Sequence, residues 1–359
     1  MTSRRLVLLG GATSLLPSRA SAQAEAKLAD DLRLLMARHH VPAASVALVR
    51  NGKVAERVTL GADARTLFQA ASISKVVAGQ VILHLADHRT VDLDQPVNEA
   101  LHSWKLPGRR AQAVTPRLLL SHRAGTNVPG FPGYAVGATL PSLPQILEGA
   151  PPANTPPVRV EWEPGQAFRY SGGGTMVLQQ LAMDTAGRPF QHLASDLVLG
   201  PAGMARSSFA QPLPQSESDA ATAHDLEGRP LPGRCHVYPE LAAAGLWSTA
   251  ADLARLALVI SASWRGGGLI SRNLARSMAR PVGDGPTGLG IFVHPQSGRP
   301  PLLYHYGVNA GFRSVLTFVA DGSFGLALMT NGEGGRPLIP AFGERVFAAN
   351  GQGSFPSID

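Results

Sequence analysis

What most restricts the fold of this 359-residue chain is where its two-residue periodicity falls. Alternation of apolar and polar residues marks a half-buried strand, and it is confined to the two ends of the chain. Ala44–Val49 and Lys53–Leu60 flank Asn51-Gly52, a dipeptide suited to the left-handed positions of a tight hairpin. Near the other end, residues 289–293, 302–305, 314–320 and 324–330 read as strands, with Asp321-Gly322 as a second hairpin turn. The middle reads as helices and proline- or glycine-rich connectors. Two β blocks separated by helices argue for one sheet built from both chain ends. We therefore expect an α/β (α+β) fold, with an antiparallel five-stranded sheet from both chain ends, flanked by helices and carrying an all-helical inserted subdomain. The sheet layer spans about 23–65 plus 285–359, and the helical insert about 66–284. Leu28, Leu32, Leu35 and Met36 give a helix over Glu25–His40 its apolar side, and a last helix runs over Pro337–Ala349.

Residues 1–22 have the make-up of an export leader. Arg4-Arg5 is followed by an apolar stretch from Leu6 to Leu16 and by Ala20-Ser21-Ala22, small residues suited to cleavage near Ala22. That stretch is too short and too glycine-interrupted to span a bilayer, so we expect a periplasmic or secreted protein with no stable membrane span, by the Sec or twin-arginine route. The net charge of +7 might suggest nucleic acid, yet the basic residues are mostly scattered arginines, with no run of five, and three of them lie in the leader. We expect no nucleic-acid partner. The single cysteine, Cys235, excludes an internal disulfide. His84 and His88 lie one helical turn apart but lack an acidic third ligand, so no metal site is expected.

The stretch Phe68-Gln69-Ala70-Ala71-Ser72-Ile73-Ser74-Lys75 carries the chemistry. In a helix, Ser72 and Lys75 share one face at the first turn. A serine hydroxyl becomes a nucleophile when a base removes its proton, and a lysine is that base once burial destabilises its ammonium. The bland alternative is an N-cap serine followed by a surface lysine. The Ala, Ile and Val neighbours of Lys75 argue for burial instead.

Further along, Pro164-Gly165-Gln166-Ala167-Phe168-Arg169-Tyr170-Ser171, His305-Tyr306-Gly307 with Asn309-Ala310-Gly311-Phe312, Leu119-Leu120-Ser121-His122 and Ala244-Gly245-Leu246-Trp247-Ser248-Thr249 complete a set. Taken in order from about Glu25 to Ala349, these segments resemble the serine β-lactamase and penicillin-binding-protein-like superfamily. Within it, they are most similar to the class C β-lactamase-related group of family VIII esterases, D-aminopeptidases and CubicO peptidases. The resemblance implies Ser72 as nucleophile, with Lys75 and Tyr170 sharing the proton transfers. It further implies an oxyanion hole from the backbone N–H groups of Ser72 and Val308, and His305, Gly307, Gly172 and Asn309 against the substrate. A phenol serves as base only beside a cation such as Lys75 that favours the phenolate. Gly307 would let the strand approach the substrate. His122 would fix its own loop, and Gly125 would give the preceding helix a left-handed cap.

Two departures from the family pattern bear on substrate. Gly172 stands where the family commonly has Asn, which removes an amide. His305 replaces the lysine of true β-lactamases, and a histidine is only partly charged at neutral pH. Both favour a neutral ester over a carboxylate-bearing β-lactam, with Arg313 as a candidate replacement charge. The expectation is an exported serine hydrolase working without cofactor or metal on a small ester, amide or peptide, with an esterase as the lead. The alternatives are a D-amino-acid peptidase, DD-carboxypeptidase or weak β-lactamase and, in another class, a non-catalytic penicillin-binding-type sensor. No Gly-x-Ser-x-Gly elbow offers an α/β-hydrolase route.

Overall fold

The computed structural model describes residues 19–356. Most of the expected leader lies outside the described residues. The first helix, α1 (Arg19–Arg38), leads into β1 (Ala44–Arg50) and β2 (Lys53–Leu60). Between these strands Asn51 and Gly52 both take positive φ, +50° and +74°, as the turn requires. The helices α2 (Ser74–Asp87), which carries Lys75, α3 (Gly172–Ala186) and α4 (Ala250–Arg265) form the main body of the insert. The chain returns to the sheet as β3 (Phe292–His294), β4 (Leu302–Asn309), β5 (Phe312–Val319) and β6 (Phe324–Thr330), and ends in α5 (Gly335–Ala349).

The two chain ends do meet in one antiparallel sheet, of order β2-β1-β6-β5-β4-β3. It has six strands where five were expected; the segment read at 289–293 contributes the three-residue β3, which pairs Phe292–His294 with Tyr304–Leu302. Alternation along the strands feeds two cores, one on each face of the sheet. Val46, Leu48, Val315, Leu326 and Leu328 pack with Leu32 and Leu35 of α1 and with Phe342 and Phe347 of α5. Ala47, Val49, Leu316, Phe318 and Met329 face the other way, onto Leu253, Leu256 and Ile260 of α4 and onto α2. The second core thus joins the sheet to the insert.

The insert is not purely helical. Phe68–Gln69 pairs with Trp247–Ser248, and Tyr134–Ala135 with His236–Val237. Two-residue ladders are too short for any periodicity to announce them. The first ladder ties the segment just before Ser72 to the segment just before α4. Among the described residues no helix is long and apolar enough to cross a membrane.

Candidate active site

Ser72 does not sit in the α-helix, as the spacing suggested, but in a single 3₁₀ turn, Ala71–Ile73, immediately ahead of α2. Ala71 takes φ +51°, a conformation that costs a non-glycine residue about 1 kcal/mol or more. The surrounding hydrogen bonds hold it there. Ser314 Oγ donates to the Ala70 carbonyl at 2.8 Å, and Ala70 N–H donates to Leu246 O at 2.8 Å. Ser74 Oγ donates to Ala71 O at 2.5 Å while accepting from Leu246 N–H at 3.0 Å. In this tightly packed stretch Ser72 alone keeps partial exposure among residues 66–83.

Lys75, 4% exposed, donates to Ser72 Oγ at 2.9 Å and to the Ala243 carbonyl at 2.8 Å. Burial lowers its ammonium from 10.5 to about 7, so near neutrality the amine form is well populated. Tyr170 sits one residue before the N-cap Ser171 of α3, and Lys75 Nζ lies 5.2 Å from its ring centroid. Burial pushes the Tyr170 phenol above its ordinary 10, and the neighbouring Ser72 only partly offsets this. The expectation of a phenolate held by the Lys75 cation is therefore corrected. Loss of water dominates and favours the protonated phenol, and the group within hydrogen-bond distance of Ser72 Oγ is the Lys75 amine.

His305 is buried on β4, and its ring centroid lies 6.2 Å from that of Tyr170 and 5.3 Å from that of Phe292. Its Nδ1 bonds the Tyr306 carbonyl at 2.7 Å, which makes Nδ1 the protonated nitrogen and leaves Nε2 as an acceptor. Burial and, after it, the Lys75 charge push His305 down to about 3. It is therefore neutral at working pH rather than partly charged. Arg313 does not compensate. Its guanidinium pairs with Glu333 and donates to the Asn309 and Phe312 carbonyls, and it takes no part in lining the cavity.

Two further expectations change, those for Gly307 and Gly172. A Cβ on Gly307 would lie 2.1 Å from Ser314 Oγ and 2.3 Å from the Ala70 carbonyl, so this glycine brings β4 against the nucleophile turn, not against substrate. Asn309 does line the cavity, and its amide N–H groups donate to Gln69 Oε1 at 2.7 Å and Ala244 O at 3.2 Å, tying β4 to the insert. Gly172 faces the Phe131 ring, which a Cβ would meet at 3.0 Å. Phe131 thus crowds the position where the family's amide would project. Val308, 58% exposed, borders the cavity close to Ser72, and β3 covers the edge of β4 only as far as Tyr304.

The resulting cavity has a volume of about 610 Å³. Ser72, Lys75, Tyr170 and His305 meet there, with walls from Pro129, Phe131, Phe168, Phe292 and Tyr304. The sequence reading missed the Ala243 carbonyl and the Ser74 hydroxyl as holders of Lys75 and of the turn, and Phe292 and Tyr304 as walls. A carbonyl has no letter of its own. The second serine of Ser-Ile-Ser-Lys was the one available signal. Tyr134, three residues past Phe131, does not line the cavity and accepts from Asn154 N–H at 3.1 Å. Gly125 takes φ +67°, but the left-handed residue closing its helix is His122, at +55°.

A hydroxyl, a desolvated amine and a phenol converging between a helical layer and an antiparallel sheet define the β-lactamase and penicillin-binding-protein-like serine hydrolase class. The chain belongs to the Beta-lactamase family, whose profile matches residues 28–348. It is similar to the putative penicillin-binding protein PbpX of Bacillus subtilis (strain 168), at 22% identity over 79% of this chain and 69% of that one. A putative fimbrial assembly protein FimD (serogroup D) of Dichelobacter nodosus is 26% identical over 36% of this chain, a match that spans about a third (32%) of that protein. Among solved structures, the octameric penicillin-binding protein homologue from Pyrococcus abyssi superposes with a TM-score of 0.75 at 23% identity, covering 91% of this chain and 77% of that one. SurE bound to D-Leu gives 0.73 at 22% identity, covering 95% and 78%. These likenesses share the fold.

Proposed function

We propose that this chain is an exported serine esterase that hydrolyses small neutral acyl esters through an acyl-enzyme on Ser72. The observation that carries the reading is the Lys75 amine, brought to about 7 by burial and 2.9 Å from Ser72 Oγ, at the floor of an aromatic-walled cavity. Lys75 takes the Ser72 proton as Oγ attacks the acyl carbon. The tetrahedral oxyanion is held by the N–H groups of Ser72 and Val308, donors of a kind worth about 10²–10³ in rate. On collapse the bond to the leaving oxygen breaks. Tyr170, still protonated, gives its proton to that oxygen and regains one from the Lys75 ammonium. Water then repeats the sequence on the acyl-enzyme, releasing the acid and restoring the serine hydroxyl.

Substrate charge follows from what the cavity lacks. Among the described residues lining it, the one cationic side chain is Lys75, and it already donates to Ser72 Oγ and the Ala243 carbonyl. A carboxylate beside the scissile bond would meet a neutral His305 and aromatic rings, at a large desolvation cost. A neutral ester avoids that cost. The leader composition at 1–22 supports export.

The test is intact-protein mass spectrometry after exposure to a fluorophosphonate, p-nitrophenyl butyrate and a penicillin, on wild type and Ser72→Ala. The expected result is fluorophosphonate and butyryl adducts on wild type only, with ester turnover lost in the variant. A stable penicilloyl adduct without ester turnover would move the assignment to the peptidase or sensor alternatives. Equal turnover by both proteins would remove Ser72 from the chemistry.

A further inference from the structure

The loop histidine at the end of the Pro116–Leu120 helix has more contacts with the site than with its loop. Its backbone carbonyl accepts from Arg169 N–H at 2.7 Å, and its Nδ1 accepts from Ser171 N–H at 3.3 Å. One residue therefore grips the chain on both sides of Tyr170. The His122 ring also lies against the Tyr170 ring, with centroids 4.5 Å apart. The grip depends on the φ of +55° at His122, which turns its carbonyl and ring toward the same strip of chain.

The protonation state suits the grip. Nδ1 accepts only when it carries no proton, so the imidazole must be neutral with its hydrogen on Nε2. Burial foremost, with the Lys75 charge and His305 adding to it, holds His122 well below its ordinary 6.5. His122 is 6% exposed and does not line the cavity, so it is placed to act on Tyr170 rather than on substrate.

We propose that His122 is a positioning residue that aims the Tyr170 phenol at the leaving oxygen through the Nδ1 acceptor and the backbone carbonyl, and that its ring volume is secondary. The inference rests on the reading of Tyr170 as proton donor. A proton carrier displaced by about 1 Å loses on the order of 10² in rate, whereas substrate binding by the aromatic walls is untouched. The loss should fall on kcat and spare KM.

Two substitutions separate acceptor from volume. His122→Asn keeps an acceptor at the δ position and a residue tolerant of left-handed φ, but gives up most of the ring. His122→Phe keeps the ring and gives up the acceptor. With p-nitrophenyl butyrate, the Asn variant should retain kcat within about fivefold, while the Phe variant loses about 30-fold or more with KM within about threefold. The reverse ranking, or equal losses in two folded variants, overturns the proposal. If the Phe variant does not fold, the Asn variant still decides, because a kcat as low as that of Tyr170→Phe in a folded protein would refute it. Tyr170→Phe is also the control for the underlying reading. Wild-type turnover there sinks the role of Tyr170 itself, whereas a dead Tyr170→Phe beside indifferent His122 variants sinks only this inference.

Discussion

Replacing Lys75 with methionine should remove activity and, near pH 6, make the protein more stable. Lowering an ammonium from 10.5 to about 7 by burial corresponds to about 5 kcal/mol of penalty on its charged form. Below pH 7 the folded state carries that buried charge and bears the whole penalty. Between pH 7 and 10.5 the unfolded chain binds a proton that the folded protein does not. Stability contributed by this site therefore rises with pH through that window, and the penalty is gone above it. Methionine has similar reach and no charge, but it leaves the Ala243 carbonyl, now held by Nζ at 2.8 Å, without its donor, at about 1–3 kcal/mol. At pH 6 the variant should gain about 5 and lose about 2, a net of about 3 kcal/mol. With about 2.1 cal/mol/K per residue over 359 residues, that is a rise of about 4 °C in Tm. At pH 9.5 only about 1 kcal/mol of penalty remains against the ~2 kcal/mol of the lost hydrogen bond, and the ranking should reverse, with wild type the more stable by about 1 kcal/mol or less. Urea denaturation of both proteins at the two pH values measures this directly. A variant less stable than wild type at pH 6, or a difference that does not move with pH, would refute the claim that Lys75 is held as a desolvated amine.

Three shorter expectations accompany it. The kcat/KM for a neutral ester should climb tenfold per pH unit below about 7 and level off above it, as Lys75 loses its proton; a profile that is flat from pH 5.5 to 8 would exclude this lysine as the base. Gly307→Ala places a methyl 2.1 Å from Ser314 Oγ and 2.3 Å from Ala70 O, and should destabilise by about 3 kcal/mol or shift β4 enough to lower kcat more than tenfold, read by melting and steady-state kinetics. Gly172→Asn should impair activity alone, because its Cβ meets the Phe131 ring at 3.0 Å, and should recover and accept amide substrates better when Phe131→Ala vacates the space; amide-to-ester rate ratios for the single and double variants decide it.

How much of this could be read in the letters depended on the physical range of each signal. The sheet was legible because β1 and β6 are near-continuous apolar runs and β2 alternates, each over seven or eight positions beside clear turn residues. β3 was read at 289–293 and lies at Phe292–His294, because three residues carry hardly one period with which to place a boundary. Ser72, Lys75, Tyr170 and His305 were named correctly as neighbours, since motif spacing encodes which side chains converge. Their charge states were not. The sequence suggested a phenolate at Tyr170 and a half-charged imidazole at His305. Desolvation, which sums the surroundings from distant segments, outweighs the Ser72 hydrogen bond at Tyr170 and acts together with the Lys75 charge at His305. Gly307 was misread for a related reason. A glycine announces close approach but not to what, and its partners Ala70 and Ser314 lie 237 positions before it and seven after it. Such a site is thus specified at two levels. Local pattern brings the reacting groups together, and the packing of Phe131, Phe292 and Ala243 around them shapes the desolvation that they feel and, on the proposed function, the acyl groups admitted. Substrate preference within a shared motif set is carried by that second level, in residues that no motif contains.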